Sequence, residues 1–255
     1  MNHLKLGAYC VFLILNWCGP IQAELLLTYN LTGLSGLSPF VLPNSTSAQI
    51  VGGNLTRGSG LIVSTGGLNG TNSFSSTGWN SLTNQDYVSF GFQVNPGYQA
   101  TIGTVQFRTN AENSAPANIG LFSSQDAFGT AVASFGILSG NATYWTLDTS
   151  TLQQVSGAIE FRLYATNSNS IGGGIVSENG ALMFGNFAVG RDAQFFQVNG
   201  TITAVPEPTT IAMFLTIASI YLFMGCLRCL RTKVSGVIVC PDQNEPMKRM
   251  VSTMP

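Results

Sequence analysis

The residue types able to do chemistry in the central part of this chain are carboxylates, tyrosines, arginines and hydroxyls. Among the 255 residues there is one histidine, His3, and the five cysteines stand at positions 10, 18, 226, 229 and 240. Between positions 24 and 205 there is no histidine, cysteine or lysine. Ser-His-Asp triads, Cys-His pairs, His-ligated zinc, Schiff-base lysines and a disulfide scaffold are therefore excluded there. We expect neither a cofactor nor a metal.

Carboxylates leave one catalytic option, a glycoside hydrolase. Such an enzyme needs two carboxyl groups about 5 to 10 Å apart, one of them with a raised pKa. The sequence places no two acids together, and Glu160 shares the outward face of one predicted strand with Arg162, which indicates a surface ion pair. We therefore predict that the protein is not an enzyme, and a carboxylate-based hydrolase is the less favoured alternative. The acids available to it are Asp86, Glu112, Asp126, Asp148, Glu160, Glu178 and Asp192.

Charge and aromatic residues favour a different kind of partner. Four arginines and eight carboxylates give the segment 24–205 a net charge of −4, which argues against a nucleic-acid surface. Trp79 lies in a polar segment, 66–85, that we predict to be a loop. An exposed tryptophan there could stack on a sugar face, whereas the alternative is that it folds over a sheet edge. Trp79 and Tyr164 are thus the candidate contacts of a carbohydrate-binding module.

Short strands dominate the central part. Apolar and polar residues alternate in 25–31, 88–94, 159–164 and 196–204, the period-two pattern of half-buried antiparallel strands. We predict an all-β ectodomain over 24–204, an antiparallel jelly-roll-like β-sandwich, with a closed barrel as the alternative. The segment 31–48, like 66–85, is predicted to be a loop. Further strand candidates are 48–56, 60–65, 101–108, 117–123, 130–137, 142–148 and 182–189.

The N-terminal segment has the pattern of a secretory signal peptide. A basic start in 1–5 precedes an apolar run, 6–17, and a helix-breaking stretch that ends in the small residue Ala23. We predict a signal peptide over 1–23, cleaved between Ala23 and Glu24, so the secretion translocon and signal peptidase are expected partners. An uncleaved anchor is the alternative, although the apolar run is shorter than the ~20 residues a membrane span needs.

The C-terminal segment contains a candidate transmembrane helix. Positions 211–227 are uncharged, and with Thr209 and Thr210 the helix would be about 28 Å long, enough for the hydrocarbon core of a bilayer. A basic cluster in 228–233 follows, which holds that helix end on the cytoplasmic side. We therefore predict one C-terminal transmembrane helix over 209–227, with the ectodomain outside. The remaining segment, 234–255, is a cytoplasmic tail to which we assign no role.

A stiff acidic peptide, Val205-Pro206-Glu207-Pro208, stands just before this helix. Each proline fixes its own φ and holds the preceding residue extended, so the peptide can neither extend a sheet nor join the helix. It presents one carboxylate, that of Glu207, next to the membrane. The peptide is either a Pro-rich spacer or a signal recognised by an enzyme.

This peptide, the apolar helix and the basic end resemble the PEP-CTERM sorting signal of exopolysaccharide-producing Gram-negative bacteria. The resemblance covers 205–233, with its basic stop at Arg228, Arg231 and Lys233. It implies that an exosortase, an integral-membrane cysteine transpeptidase, recognises the Pro-Glu-Pro motif and cleaves there. It also implies an inner-membrane-anchored precursor that then passes to the cell surface or extracellular matrix. The segments 86–107 and 157–169 look like the β-rich ectodomains of such proteins.

These patterns together predict an exported surface or matrix protein, sorted by an exosortase, with a structural or adhesive role and no catalysis of its own. Exopolysaccharide is a candidate partner of the ectodomain. The alternatives are a carbohydrate-binding surface module and, less favoured, the carboxylate-based hydrolase.

Overall fold

The computed structural model describes residues 23–64, 72–138, 142–185, 195–206, 213 and 215–224. The chain divides into two compact units, Met1–Val205 and Pro206–Pro255. The first unit has its own hydrophobic core, so a fragment covering 24–205 is expected to fold by itself.

Strands make up about half of the described residues of the first unit. In chain order they are β1 (Glu24–Asn30), β2 (Ser35–Gly36), β3 (Phe40–Val41), β4 (Ser45–Thr46), β5 (Ile50–Gly52), β6 (Leu55–Arg57), β7 (Ile62–Val63), β8 (Ser73–Thr77), β9 (Tyr87–Val94), β10 (Tyr98–Ala111), β11 (Asn118–Ser123), β12 (Ala131–Gly136), β13 (Thr143–Asp148), β14 (Ala158–Ala165), β15 (Leu182–Gly185) and β16 (Phe195–Ala204). One 3-10 turn, Ser124–Asp126, follows β11.

The strands form two sheets rather than a closed barrel. The first sheet has the order β2-β8-β15-β10-β16-β1-β4, with β13 on β10 and β7 on β8. The second has the order β12-β11-β14-β9-β6-β3, with β5 on β9. The pairings are antiparallel except that of β2 with β8. The prediction of an all-β, two-sheet fold over 24–204 is confirmed, and β1, β9, β14 and β16 lie where the alternating pattern indicated.

Aromatic side chains join the two sheets. Phe90 of the second sheet stacks on its neighbour Phe161 at 5.1 Å between ring centroids and meets Phe196 of the first sheet at 4.5 Å. Phe196 in turn stacks on Phe107 at 4.9 Å. Each such pair contributes roughly 0.5–1.5 kcal/mol beyond the burial of its area. In each long strand the side chains that point inward are thus part of the core, and those that point outward form the surface.

Two segments predicted to be loops contain strands, so that part of the prediction is wrong. All five residues of β8 are buried, and the strand pairs with β15. Its sequence, SFSST, does not alternate between apolar and polar residues. The strand is nevertheless buried, because serine is small enough to be buried on both faces of a sheet. The segment 31–48 carries β2, β3 and β4, each of two residues. Strands this short have no readable period.

Arg57 ties the second sheet to the first. Its guanidinium lies 3.6 Å above the ring of Phe74 and donates to the carbonyl oxygens of Ser75 (2.6 Å), Ser38 (2.7 Å) and Gly36 (3.1 Å). Burial lowers the pKa of Arg57 to about 10, so the side chain is still charged at neutral pH. Backbone carbonyls therefore take the place that a carboxylate would have beside a buried arginine.

Replacing this arginine should destabilise the fold. Arg57→Ala leaves carbonyl oxygens of β8 and of the 36–38 segment without their donor, and we expect a loss of about 2–3 kcal/mol of unfolding free energy. Arg57→Lys keeps the charge but not the planar fork, so its loss should be intermediate. Urea denaturation of the 24–205 fragment measures both. An Arg57→Ala variant with an unchanged midpoint would contradict this account.

Candidate functional site

The outward face of β14 carries three side chains in a row, Glu160, Arg162 and Tyr164. They alternate with Ile159, Phe161 and Leu163, which are buried. Because side chains on one face of a strand are two residues apart, the row is about 13 Å long. Across the strand pair these residues face Gly91, Ser89 and Tyr87 of β9.

Tyr164 is held by other aromatic rings. Its ring centroid lies 5.4 Å from that of Tyr87 and also 5.4 Å from that of Phe122, which it meets edge-on. All three side chains are only partly buried. A partly exposed tyrosine fixed in this way offers an apolar ring and a hydroxyl to a ligand.

Arg162 is clamped between two rings. Its guanidinium carbon lies 4.2 Å from the ring centroid of Tyr87 and 4.0 Å from that of Phe128. Nε donates to Glu160 Oε1 at 2.8 Å, and Nη1 donates to the Tyr164 hydroxyl at 3.1 Å. Burial opposes the charge, but the hydrogen bonds with Glu160 and Tyr164 outweigh it and raise the pKa of Arg162. The cation therefore has a fixed position and orientation.

A strained turn places the second of these rings. Ala127 and Phe128 have positive φ values of 56° and 62°, a backbone conformation that residues other than glycine rarely adopt. The Phe128 N–H donates to the carbonyl of Ser123 at 2.9 Å, and the Ala127 N–H donates to that of Ser124 at 3.3 Å. Such strain costs of order 1–3 kcal/mol per residue and is typical of functional sites. Here it brings an aromatic ring over Arg162.

Four of these side chains, those of Phe122, Phe128, Arg162 and Tyr164, line an open groove of about 480 Å³, a size typical of ligand sites. One wall is the loop 81–86, which is organised by the buried carboxylate of Asp86. That carboxylate accepts hydrogen bonds from Thr83 N–H at 3.0 Å, from the Thr83 hydroxyl at 3.1 Å and from the Ser81 hydroxyl. The groove is lined by Leu82, Thr83, Asn84, Phe122, Ala127, Phe128, Arg162, Tyr164, Ala165 and Thr166.

Three of the other described carboxylates serve local structure. Asp126 accepts from the Thr130 N–H, Asp148 from the Ser150 N–H and Glu112 from the Ala181 N–H. Hydrogen bonds from Ser150 lower the pKa of Asp148. Asp192 lies outside the described residues. Within the part of the chain that the structure describes, no three His, Cys, Asp or Glu side chains form a group that could hold a metal ion.

Trp79 does not belong to this groove, which corrects one candidate sugar contact. Its side chain is 0% exposed, and its Nε1 donates to the carbonyl oxygen of Ser76 at 3.1 Å. The reason is that β8 and the turn after it pack into the core instead of forming a free loop. Tyr164, the second candidate, does line the groove.

The sequence did not indicate most of the remaining groove residues. Phe122 and Tyr87, which contacts Tyr164 and Arg162 beside the groove, are brought there by the register of the sheet. Phe128 is placed by the left-handed turn after β11. The one available signal was the outward row of β14, in which a charged pair stands beside a tyrosine.

The candidate processing sites lie just before the first strand and just after the last described strand. Glu24 is the first residue of β1, and Ala23 before it is exposed. Strand β16 ends at Ala204, and Val205 and Pro206 after it are exposed. Glu207, Pro208, Arg228, Arg231 and Lys233 lie outside the described residues.

Part of the predicted transmembrane segment is described. Residues 213 and 215–224 are helical, and their side chains are exposed. A search of the described residues alone finds no helix with the length and apolar character needed to cross a membrane.

Comparisons with known proteins give distant similarity only. No family model and no curated protein sequence match the chain. A solved structure titled carbohydrate binding module family 29 is 14% identical, with 70% of this chain and 90% of that chain covered and a TM-score of 0.35. A mutant of a family 29 module complexed with cellulohexaose is also 14% identical, with coverages of 69% and 90% and a TM-score of 0.34. At these TM-scores the similarity assigns no ligand to this chain.

The Asp86 loop offers a test of how the groove is built. Asp86→Asn replaces a carboxylate that accepts three hydrogen bonds, so we expect a loss of about 1–3 kcal/mol of unfolding free energy. Asp148→Asn is the matched control, because that residue is exposed and its substitution should leave the denaturation midpoint close to that of the wild type. The measurement is the denaturation midpoint of each variant of the 24–205 fragment. Equal midpoints for the two variants would show that Asp86 does not hold the loop.

Proposed function

We propose that the ectodomain is a carbohydrate-binding module without catalytic activity, and that its ligand lies in the groove beside Tyr164. The observation that carries this proposal is the clamped guanidinium of Arg162, which lines the open groove beside the aromatic ring of Tyr164 and is paired with the Glu160 carboxylate next to it. Its role at the cell surface would then be adhesive, through exopolysaccharide.

The groove matches the two kinds of surface that a sugar presents. The C–H face of a pyranose ring is apolar and packs on an aromatic ring such as that of Tyr164, while its hydroxyls both donate and accept. Arg162 has five N–H donors, and the contacts with Glu160 and Tyr164 occupy three of them. Two donors are left for sugar hydroxyls, and Glu160 can accept. Because these groups are already held in place, little conformational entropy is lost on binding.

Removing the platform should remove binding. We expect Tyr164→Ala to weaken binding to any glycan retained on an array by at least about tenfold, the effect of losing one well-packed aromatic contact. Tyr144→Ala is the control, since Tyr144 is an exposed tyrosine on the first sheet. The measurement is array binding of the 24–205 fragment followed by titration calorimetry. Equal affinities for wild type and Tyr164→Ala would refute this site.

We further propose that the module is exported and is handed to an exosortase by the signal at 205–233. Two features support this. β1 begins at Glu24, so cleavage after Ala23 would leave the first strand intact. The first compact unit ends at Val205, so the boundary falls at the start of the Pro-Glu-Pro motif.

Loss of the motif's carboxylate tests the sorting. Glu207→Ala should leave the protein as a full-length precursor in the inner membrane, because the recognised charge is gone. Glu178→Ala, on the ectodomain, should be processed normally. Immunoblots of membrane and surface fractions compare the two, and release of the Glu207→Ala protein at the normal rate would disprove exosortase recognition.

A further inference from the structure

A second depression adjoins the groove on the same outward face. The outward residues of β9 become smaller along the strand, from Tyr87 through Ser89 to Gly91, and leave a hollow of about 380 Å³. Gly91 is required there, because a Cβ atom would lie 2.2 Å from the carbonyl oxygen of Ile159. The floor is therefore bare backbone, and exposed side chains of Asn54 and Gln93 stand at the rim.

The far wall of this depression is anchored in the core. β5 and β6 both pair with β9, and the residues between them, Gly53 and Asn54, interrupt the ladder. The Gly53 N–H donates to the Gly91 carbonyl at 2.8 Å, and the buried Tyr29 hydroxyl donates to the Gly53 carbonyl at 2.7 Å. Burial raises the pKa of Tyr29, so this hydroxyl remains a donor. The wall is thus preformed.

One ion pair connects the two depressions. Glu160 lines the glycine-floored depression, and Arg162, its partner at 2.8 Å, lines the groove. From Ala158, which faces Gln93, to Tyr164 the strand rises about 20 Å. That distance exceeds the size of a single sugar ring.

The charge of the combined surface is balanced. Among the residues that the structure describes, Glu160 is the one charged residue that lines the depression, and Arg162 is the one that lines the groove. The remaining polar lining is amide, hydroxyl and backbone, which suits an uncharged ligand rich in hydroxyls. An anionic sugar would meet the Glu160 carboxylate without a free cation in the lining of either hollow.

We propose that the two depressions form one binding site for an internal segment of a neutral, linear polysaccharide. Tyr164 and Arg162 take one part of the chain, and Asn54, Gln93 and Glu160 take the next. This inference rests on the proposed glycan-binding function and adds the length and charge of the ligand.

Ligand length tests it. Titration calorimetry of the full chain with cello- and malto-oligosaccharides, two neutral linear series, should give at least about tenfold tighter binding of a hexasaccharide than of a disaccharide in one series. The double variant Asn54→Ala/Gln93→Ala should remove that gain without changing disaccharide affinity. Gln99→Ala, on the outward face of the first sheet, should change neither. Oligogalacturonates, which are anionic, should bind at least about tenfold more weakly than the neutral hexasaccharide.

The outcomes separate this inference from the function beneath it. A hexasaccharide that binds no tighter than a disaccharide, or a double variant that behaves as wild type, would overturn the extended site while binding that depends on Tyr164 persists. Preference for oligogalacturonates would overturn the neutrality of the ligand. Failure of every glycan to bind would overturn both the inference and the function.

Discussion

The packing of Phe90 between the sheets is the contact on which the rest of the structure depends. Phe90 stacks on Phe161 in its own sheet and meets Phe196 in the other. Since side chains on a strand alternate between faces, burial of Phe90 and Phe161 also decides which residues face outward. A shift of one residue in β14 would turn Arg162 inward and Phe161 outward. The groove is thus a consequence of how the core is packed.

The two structurally described arginines of the second sheet show two solutions for a cation in a chain with few charges. The charge of Arg57 is stabilised by carbonyl dipoles, and this side chain connects the sheets. Arg162 instead pairs with Glu160 and remains partly exposed. Both are covered by aromatic rings. In the first arrangement Nε, Nη1 and Nη2 of the guanidinium all donate hydrogen bonds within the fold, which favours stability. The second leaves donors open to solvent, which favours binding.

The sequence alone predicted the strands that have a clear hydrophobic periodicity. The alternation of apolar and polar residues predicted β1, β9, β14 and β16, and the candidate strand 101–108 lies within β10. It could not locate β8, because buried serines carry no hydrophobic signal, and so it left Trp79 in a loop. It selected Tyr164 for its exposed ring but not Phe128, whose position depends on a left-handed turn. Sites assembled across strands depend on register, which a single sequence does not display.

The position of β16 has a mechanical consequence. This strand is the last described strand of the first unit, and it lies inside the first sheet, bonded to β10 on one side and to β1 on the other. A load applied to the end of the chain beyond Ala204 would pull along the axis of β16. The backbone hydrogen bonds on both sides would then be sheared together, whereas a strand at the edge of a sheet is peeled away one bond at a time. A domain held at its C-terminal end and loaded through a bound polymer would therefore resist mechanical unfolding at β16.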